Sequence, residues 1–139
     1  MNLCDSPAAV VSALYAAVSF APGHSPNYES LRALFLPGGS LTVPDASGVV
    51  GYSVKSIDEF IVLAKTEFWP QESLGDGFYE TEVEQKLNTF GRVAQVFSAY
   101  ECTTDANSIP FVKGVNCFQL VEQNNRWWIL SLVWDRVRL

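Results

Sequence analysis

The spacing of apolar residues changes once along this chain. In the first half it is helical. Ser6 before Pro7 is an N-cap and first-turn pair, and Val11, Leu14, Tyr15 and Val18 then recur at helical intervals, which predicts a helix with one buried stripe. "APGHSP" interrupts it. Ser25 and Pro26 repeat the cap signal ahead of Tyr28, Leu31, Leu34 and Phe35, a short second helix that "PGG" at Pro37 to Gly39 ends. "SLTVP" and "GVVGY" read as short strands about the turn "DASG". Ser56 and Glu59 have the spacing of a capping box for a third helix, continued by Ile57, Phe60, Ile61, Ala64 and Phe68.

From about Gly75 the period becomes two. "GFYETEVEQKLNTF", "RVAQVFSAYECTT", "PFVKGVNCFQLVE" and "RWWILSLVWDRV" predict four long strands, with hairpin turns at "NTFG" and "QNNR" and a longer connection at "DANSIP". Helices followed by a meander give an α+β domain with helices on one face of an antiparallel sheet, spanning residues 1–139 without repeat or linker.

The last strand is apolar on both sides. Trp127, Ile129 and Val133 point one way, and Trp128, Leu130, Leu132 and Trp134 the other. With a turn at Asn124 and Asn125, Leu120 lies opposite Ile129, Phe118 opposite Ser131 and Asn116 opposite Val133; a three-residue turn shifts every pair, and both registers remain open. In the preceding hairpin, Thr81, Val83 and Leu87 share the helix-covered face with Val96, Ser98 and Tyr100. Glu80, Glu82 and Glu84 then fall on the outer face with Gln95, Phe97 and Glu101. Three helices cover one face only. The apolar end of the outer face, with Trp128, Leu130, Leu132, Trp134 and Gln119, therefore predicts a second copy of the chain as its cover.

Composition narrows the function classes. The 139 residues are 48% apolar and 17% charged, enough for a packed core. A net charge of -6 excludes a nucleic-acid partner, which needs a basic stripe; Arg126, Arg136 and Arg138 read as solvating a strand end. The cysteines Cys4, Cys102 and Cys117 form no framework, which points to a reducing cytoplasm. A single His leaves no ordinary zinc ligand set, and neither metal nor cofactor is expected. The N-terminus lacks a basic region and carries Asp5 and Tyr15, so it reads as a first helix rather than a signal peptide. No run approaches the roughly 18 apolar residues of a membrane span.

The helical N-terminal half, the "GFYETE" and "VAQVFSAYE" strands and the closing "GVNCFQLVEQNNRWWILSLVWD" hairpin resemble bacterial members of the nuclear-transport-factor-2-like superfamily. The resemblance covers nearly the whole chain. It implies a cone-like α+β fold in which a curved sheet wraps the first helix and encloses a pocket, and a homodimer packed through the outer sheet face. It chooses no single activity. The superfamily includes ketosteroid isomerases, epoxide hydrolases, polyketide cyclases, dehydratases, dioxygenase small subunits and non-catalytic transport or scaffold proteins.

Isomerase-like chemistry needs a carboxylate base and donors for the developing oxyanion. Tyr15, Tyr52 and Tyr100 are the candidate pocket tyrosines. No base stands out: Asp58 and Glu59 read as first-turn helix acids, Glu80, Glu82 and Glu101 as solvated, and Arg32 has no placed acidic partner. His24, the single histidine, is a candidate general base by residue type but sits in a loop. Ser98, Tyr100, Asn116 and Ser131 are polar residues in an apolar row, so they bond one another or line a cavity. Trp69 rims that cavity or packs on the third helix. The leading reading is a pocket for a small apolar or aromatic molecule. The alternatives are a proton-transfer enzyme, with Tyr15 or Tyr100 as donor, and a non-catalytic dimeric interaction module.

Overall fold

A computed structural model describes residues 4–45 and 51–139. Helix α1 (Pro7–Val18) starts at Ser6, whose Oγ accepts from the Ala9 backbone N–H at 3.1 Å. Helix α3 (Ile57–Glu67) carries the predicted capping box: Glu59 N–H donates to Ser56 Oγ at 3.1 Å, and Ser56 N–H to the Glu59 carboxylate at 2.8 Å. Between them, α2 is shorter than expected, Tyr28–Arg32, and its N-cap is Asn27 rather than Ser25. Leu34 and Phe35 are not helical. Phe35 opens strand β1 (Phe35–Pro44), and "PGG" marks a register shift within that strand rather than a helix stop. The second strand of this hairpin, β2, is Tyr52–Ser56 and shares Tyr52 with the expected "GVVGY"; residues 48–50 of that stretch and most of the expected "DASG" turn lie outside the described residues.

The period-two half forms β3 (Tyr79–Phe90), β4 (Val93–Thr104), β5 (Asn107–Gln123) and β6 (Arg126–Arg138). The expected long connection at "DANSIP" is a tight turn at Asp105 and Ala106, and β5 begins directly after it. The last hairpin does turn at Asn124 and Asn125. Both adopt left-handed backbone, φ 55° and 62°, as a two-residue type I′ turn requires.

The six strands make one sheet in the order β2-β1-β6-β5-β4-β3, with β1 parallel to β6 and the other pairs antiparallel. The sheet curves over α1, which packs on β3, β4 and β6. Val10, Val11, Leu14, Phe118, Leu120 and Ile129 are among the most buried residues between them.

Two single-residue bulges decide which residues face this core. In β6, Leu120 pairs with Ile129 but Gln119 pairs with Ser131, so Leu130 is the extra residue. Side-chain alternation reverses there. Trp127 and Ile129 face inward as expected. Beyond the bulge Leu132 and Trp134 face inward too, opposite Phe118 and Asn116. The expectation that Leu132 and Trp134 cover the outer face is corrected, and so is the inward placement of Ser131 and Val133, which turn outward. In β3, Glu82 pairs with Tyr100 and Glu84 with Ala99, leaving Val83 as the extra residue. Leu87 shares a cross-strand row with inward-facing Val96 as expected, though it lies exposed beyond the core. Glu80 and Glu82, however, replace Thr81 and Val83 on the inner face.

Candidate active site

A pocket of about 300 Å³ opens at one end of the sheet, between its inner face and the helices. Its apolar wall includes Leu14, Phe60, Phe68, Trp69, Phe78 and Trp134, and its polar groups include Glu80, Tyr100, Asn116, Arg136 and Arg138. The aromatic wall is continuous: Phe60 meets Trp69 and Trp134 edge-on at 6.5 and 5.8 Å between ring centroids.

Glu80 is held at the start of β3 by the end of α1. Phe20 and Phe78 exchange backbone hydrogen bonds of 2.8 and 2.9 Å, and the Glu80 N–H donates to Ser19 Oγ at 3.0 Å. Its carboxylate accepts from Asn116 Nδ2 at 3.3 Å and lies 3.9 Å from the Cys102 thiol. Part of the side chain stays in view of solvent, but protein surrounds the carboxyl, and its chemistry follows the carboxyl. Burial pushes its pKa up to about 7, against the pull of the Asn116 and Cys102 hydrogen bonds. This corrects the solvated outer-face role expected for Glu80.

Asn116, only 4% exposed, joins Glu80 to a chain of hydroxyls. Its amide also donates to Tyr15 Oη at 3.1 Å, and Tyr15 Oη lies 2.6 Å from Ser98 Oγ. Ser98 in turn donates to Glu82, so the single Ser98 proton is committed and Tyr15 is the donor to Ser98. Gln85 donates to both Glu82 oxygens, at 3.2 and 3.0 Å. The run Asn116 to Tyr15 to Ser98 to Glu82 gives each of its own buried polar groups a partner. Burial holds the Tyr15 phenol well above its ordinary pKa, so it stays a donor.

Tyr100 also stays protonated, for the same reason, with the nearby Glu80 charge adding to the effect of burial. Its hydroxyl sits over Gly114 in the pocket wall and takes part in no hydrogen bond among the described residues. It is therefore available to a bound molecule. The Cys102 thiol is raised by burial and stays neutral, which disfavours a nucleophilic role.

The expected site residues divide cleanly. Trp69, Tyr100 and Asn116 line the pocket, and Tyr15 and Ser98 form the network behind it. His24 is exposed in its loop, Tyr52 is 50% exposed on β2, and Ser131 faces outward on β6; none lines the pocket. Asp58 and Glu29 both pair with Arg32, the former at 2.6 Å, on the surface away from it. Sequence reading missed Glu80, Arg136 and Arg138. Their inward turn follows from the bulges at Val83 and Leu130, and neither bulge carries a glycine or other local signal.

No family model and no curated protein matches the sequence. Solved structures do match. A hexachlorocyclohexane dehydrochlorinase (LinA-type3) from Novosphingobium barchaimii superposes with a TM-score of 0.68 at 13% identity, over 94% of this chain and 85% of that one. An inferred ketosteroid isomerase from Shewanella frigidimarina gives 0.64 at 22% identity, over 94% and 96%. A protein of unknown function with a cystatin-like fold from Nostoc punctiforme gives 0.67 at 12% identity, over 92% and 86%. At these identities the likeness speaks to architecture, and it agrees with the sheet order and helix placement above: this chain has the cystatin-like, nuclear-transport-factor-2-like fold.

Proposed function

We propose that this protein is a proton-transfer enzyme acting on a small, largely apolar carbon acid, with Glu80 as general base and Tyr100 as oxyanion donor. The observation that carries this reading is a pocket carboxyl with a pKa of about 7 beside an unengaged tyrosine hydroxyl. Near neutrality such a carboxyl is substantially ionised and still basic enough to take a proton from carbon next to a carbonyl. The Tyr100 hydroxyl then donates to the oxygen on which charge develops. Asn116 orients the Glu80 carboxylate, and Tyr15, Ser98 and Glu82 hold Asn116. The aromatic wall binds the apolar body of the substrate. The ketosteroid isomerase and dehydrochlorinase names among the structural neighbours agree with this class of chemistry.

Hydrogen–deuterium exchange at the carbon beside the carbonyl of tetralone, followed by NMR, tests the reading. Wild-type protein is expected to accelerate exchange, with a rate that rises with pH through a midpoint near 7 as Glu80 ionises. Glu80→Gln loses about a hundredfold or more of that acceleration, and Tyr100→Phe loses a smaller part. Exchange that is equally fast with Glu80→Gln would refute Glu80 as the base.

The working form we propose is a homodimer packed through the outer sheet face. Val93, Val121 and Trp128 form one cross-strand row there, and Phe97, Cys117 and Val133 another, with Gln95, Gln119 and Ser131 between them. Phe97 is 51% exposed, and Leu130 and Val133 stand beside it in solvent. Light scattering at micromolar concentration is expected to give twice the mass of one chain, and Phe97→Glu with Val133→Glu to give a monomer; a wild-type monomer rejects the dimer. Among the described residues no helix is long and apolar enough to cross a membrane. We place the protein in a reducing cytoplasm, where cysteines stay thiols; Cys102 faces inward and Cys117 outward, so these two cannot bridge one another.

A further inference from the structure

The pocket has a charged side that proton transfer from a neutral substrate leaves unused. Beyond the Leu130 bulge, Arg136 and Arg138 turn inward and line the pocket with Trp134. Arg136 is registered with Gly114, and Gly114 with Tyr100. Gly114 contributes no side chain to this row, so nothing stands on the strand between the guanidinium and the Tyr100 ring. Arg138 occupies the next row, with Val112, Cys102 and Glu80.

Neither guanidinium forms a salt bridge among the described residues; the ion pairs found there belong to Arg32. Arg136 is half-buried, and its guanidinium lies 5.7 Å from the centre of the Phe68 ring. A pocket arginine without a carboxylate partner keeps its hydrogen-bond donors uncommitted to protein acids, and a bound anion would engage them. The acids facing the same space are Glu67 and Glu80, and neither is within salt-bridge distance of it.

We propose that the substrate is a small monocarboxylic acid, its carboxylate held by Arg136 with Arg138 beside it, its apolar body against Phe68, Trp69 and Trp134. A single negative charge suits the site better than two. Glu67 and Glu80 lie on the same pocket and the chain carries a net charge of -6, so a dianion such as a phosphate monoester meets more repulsion there than a monoanion does. The anion site deepens the proposed function, since it names the class of substrate on which Glu80 acts. It also gives that substrate a direction: charged end at the arginines, reacting carbon toward Glu80 and Tyr100.

Isothermal titration at pH 8 with phenylbutyrate and its neutral counterpart phenylbutanol tests the site. Both carry the same apolar body and differ in the terminal group. Wild-type protein is expected to bind the carboxylate about tenfold or more tighter than the alcohol. Arg136→Gln brings the two affinities together, whereas Arg136→Lys, which keeps the charge, retains most of the preference. Unchanged binding of the alcohol by Arg136→Gln shows that this variant is folded with its pocket intact. Equal affinities in the wild type, absence of saturable phenylbutyrate binding, or a preference that survives Arg136→Gln would overturn the anion site. Glu80→Gln separates this result from the proposed function: it removes the base but is expected to leave the carboxylate preference in place. Wild-type protein that exchanges tetralone protons yet binds the alcohol as tightly as the acid overturns the anion site alone.

Discussion

Glu80→Gln is expected to stabilise the protein by about 3 kcal/mol at pH 8 and to change its stability little at pH 4. The sign follows from the raised pKa. Below the ordinary glutamate value of 4.5, Glu80 is protonated in both the folded and the unfolded chain and adds no pH dependence. Between 4.5 and about 7 the unfolded chain releases its proton first, so the unfolded state gains and folded stability falls. Above about 7 both states are ionised and the deficit is complete. The gap between the two values corresponds to about 3 kcal/mol. A glutamine has no such deficit and still offers Asn116 an oxygen acceptor. Urea unfolding of both proteins at pH 4, 6 and 8 gives the difference directly, since other carboxylates cancel in the comparison. A difference that stays constant across this range would show that Glu80 is not held in a desolvated site. Such a base costs stability at the pH where it works, an exchange of stability for function.

Gly114→Ala is expected to destabilise the fold by about 3 kcal/mol and to remove Tyr100 from its position in the pocket. An added Cβ would lie 2.6 Å from the Asp135 carbonyl oxygen and 2.6 Å from the Tyr100 hydroxyl oxygen, closer than real methyl groups approach either. The tyrosine ring can swing away, but the β6 backbone moves only with the strand. The cost therefore has two parts. In a Tyr100→Ala background the same substitution should cost less, yet not nothing, because the Asp135 carbonyl remains. An equal cost in both backgrounds would show that the ring does not rest on Gly114. Tetralone exchange by Gly114→Ala should fall at least as far as with Tyr100→Phe. This glycine serves close approach rather than an unusual backbone angle, and its lack of a side chain keeps the Tyr100 hydroxyl and Arg136 open to the same space.

Much of the architecture was legible in the pattern of residues. The Ser6 and Ser56 caps, the helical stripes that follow them and the alternation in the four long strands are local signals. Each depends on neighbours a few positions away, and each appears where the chain places it. The turn at Asn124 and Asn125 was one of two registers that the pattern left open; the two-residue form prevails, and asparagine tolerates the left-handed backbone it needs. Leu34 and Phe35 show the limit of local reading. Their spacing suits a helix, but Phe35 pairs with Ile129, far along the chain, and that pairing prevails.

The site was less legible, for one physical reason. Alternation carries a parity, and a single inserted residue reverses it for everything beyond. A hydrophobic pattern read outward from Leu87 places Glu80 and Glu82 in solvent, and one read from Ile129 places Leu132 and Trp134 there. The bulges at Val83 and Leu130 bring all four inward, with Arg136 and Arg138 following. By itself, then, the sequence determined the first and third helices, the four long strands and the inward row of Ser98, Tyr100 and Asn116, because neighbouring residues encode them. Only the tertiary structure decided that two glutamates and two arginines join that row. A bulge is stabilised by how both flanking stretches pack on the core and on the partner strand, and that balance is struck between residues distant in the chain.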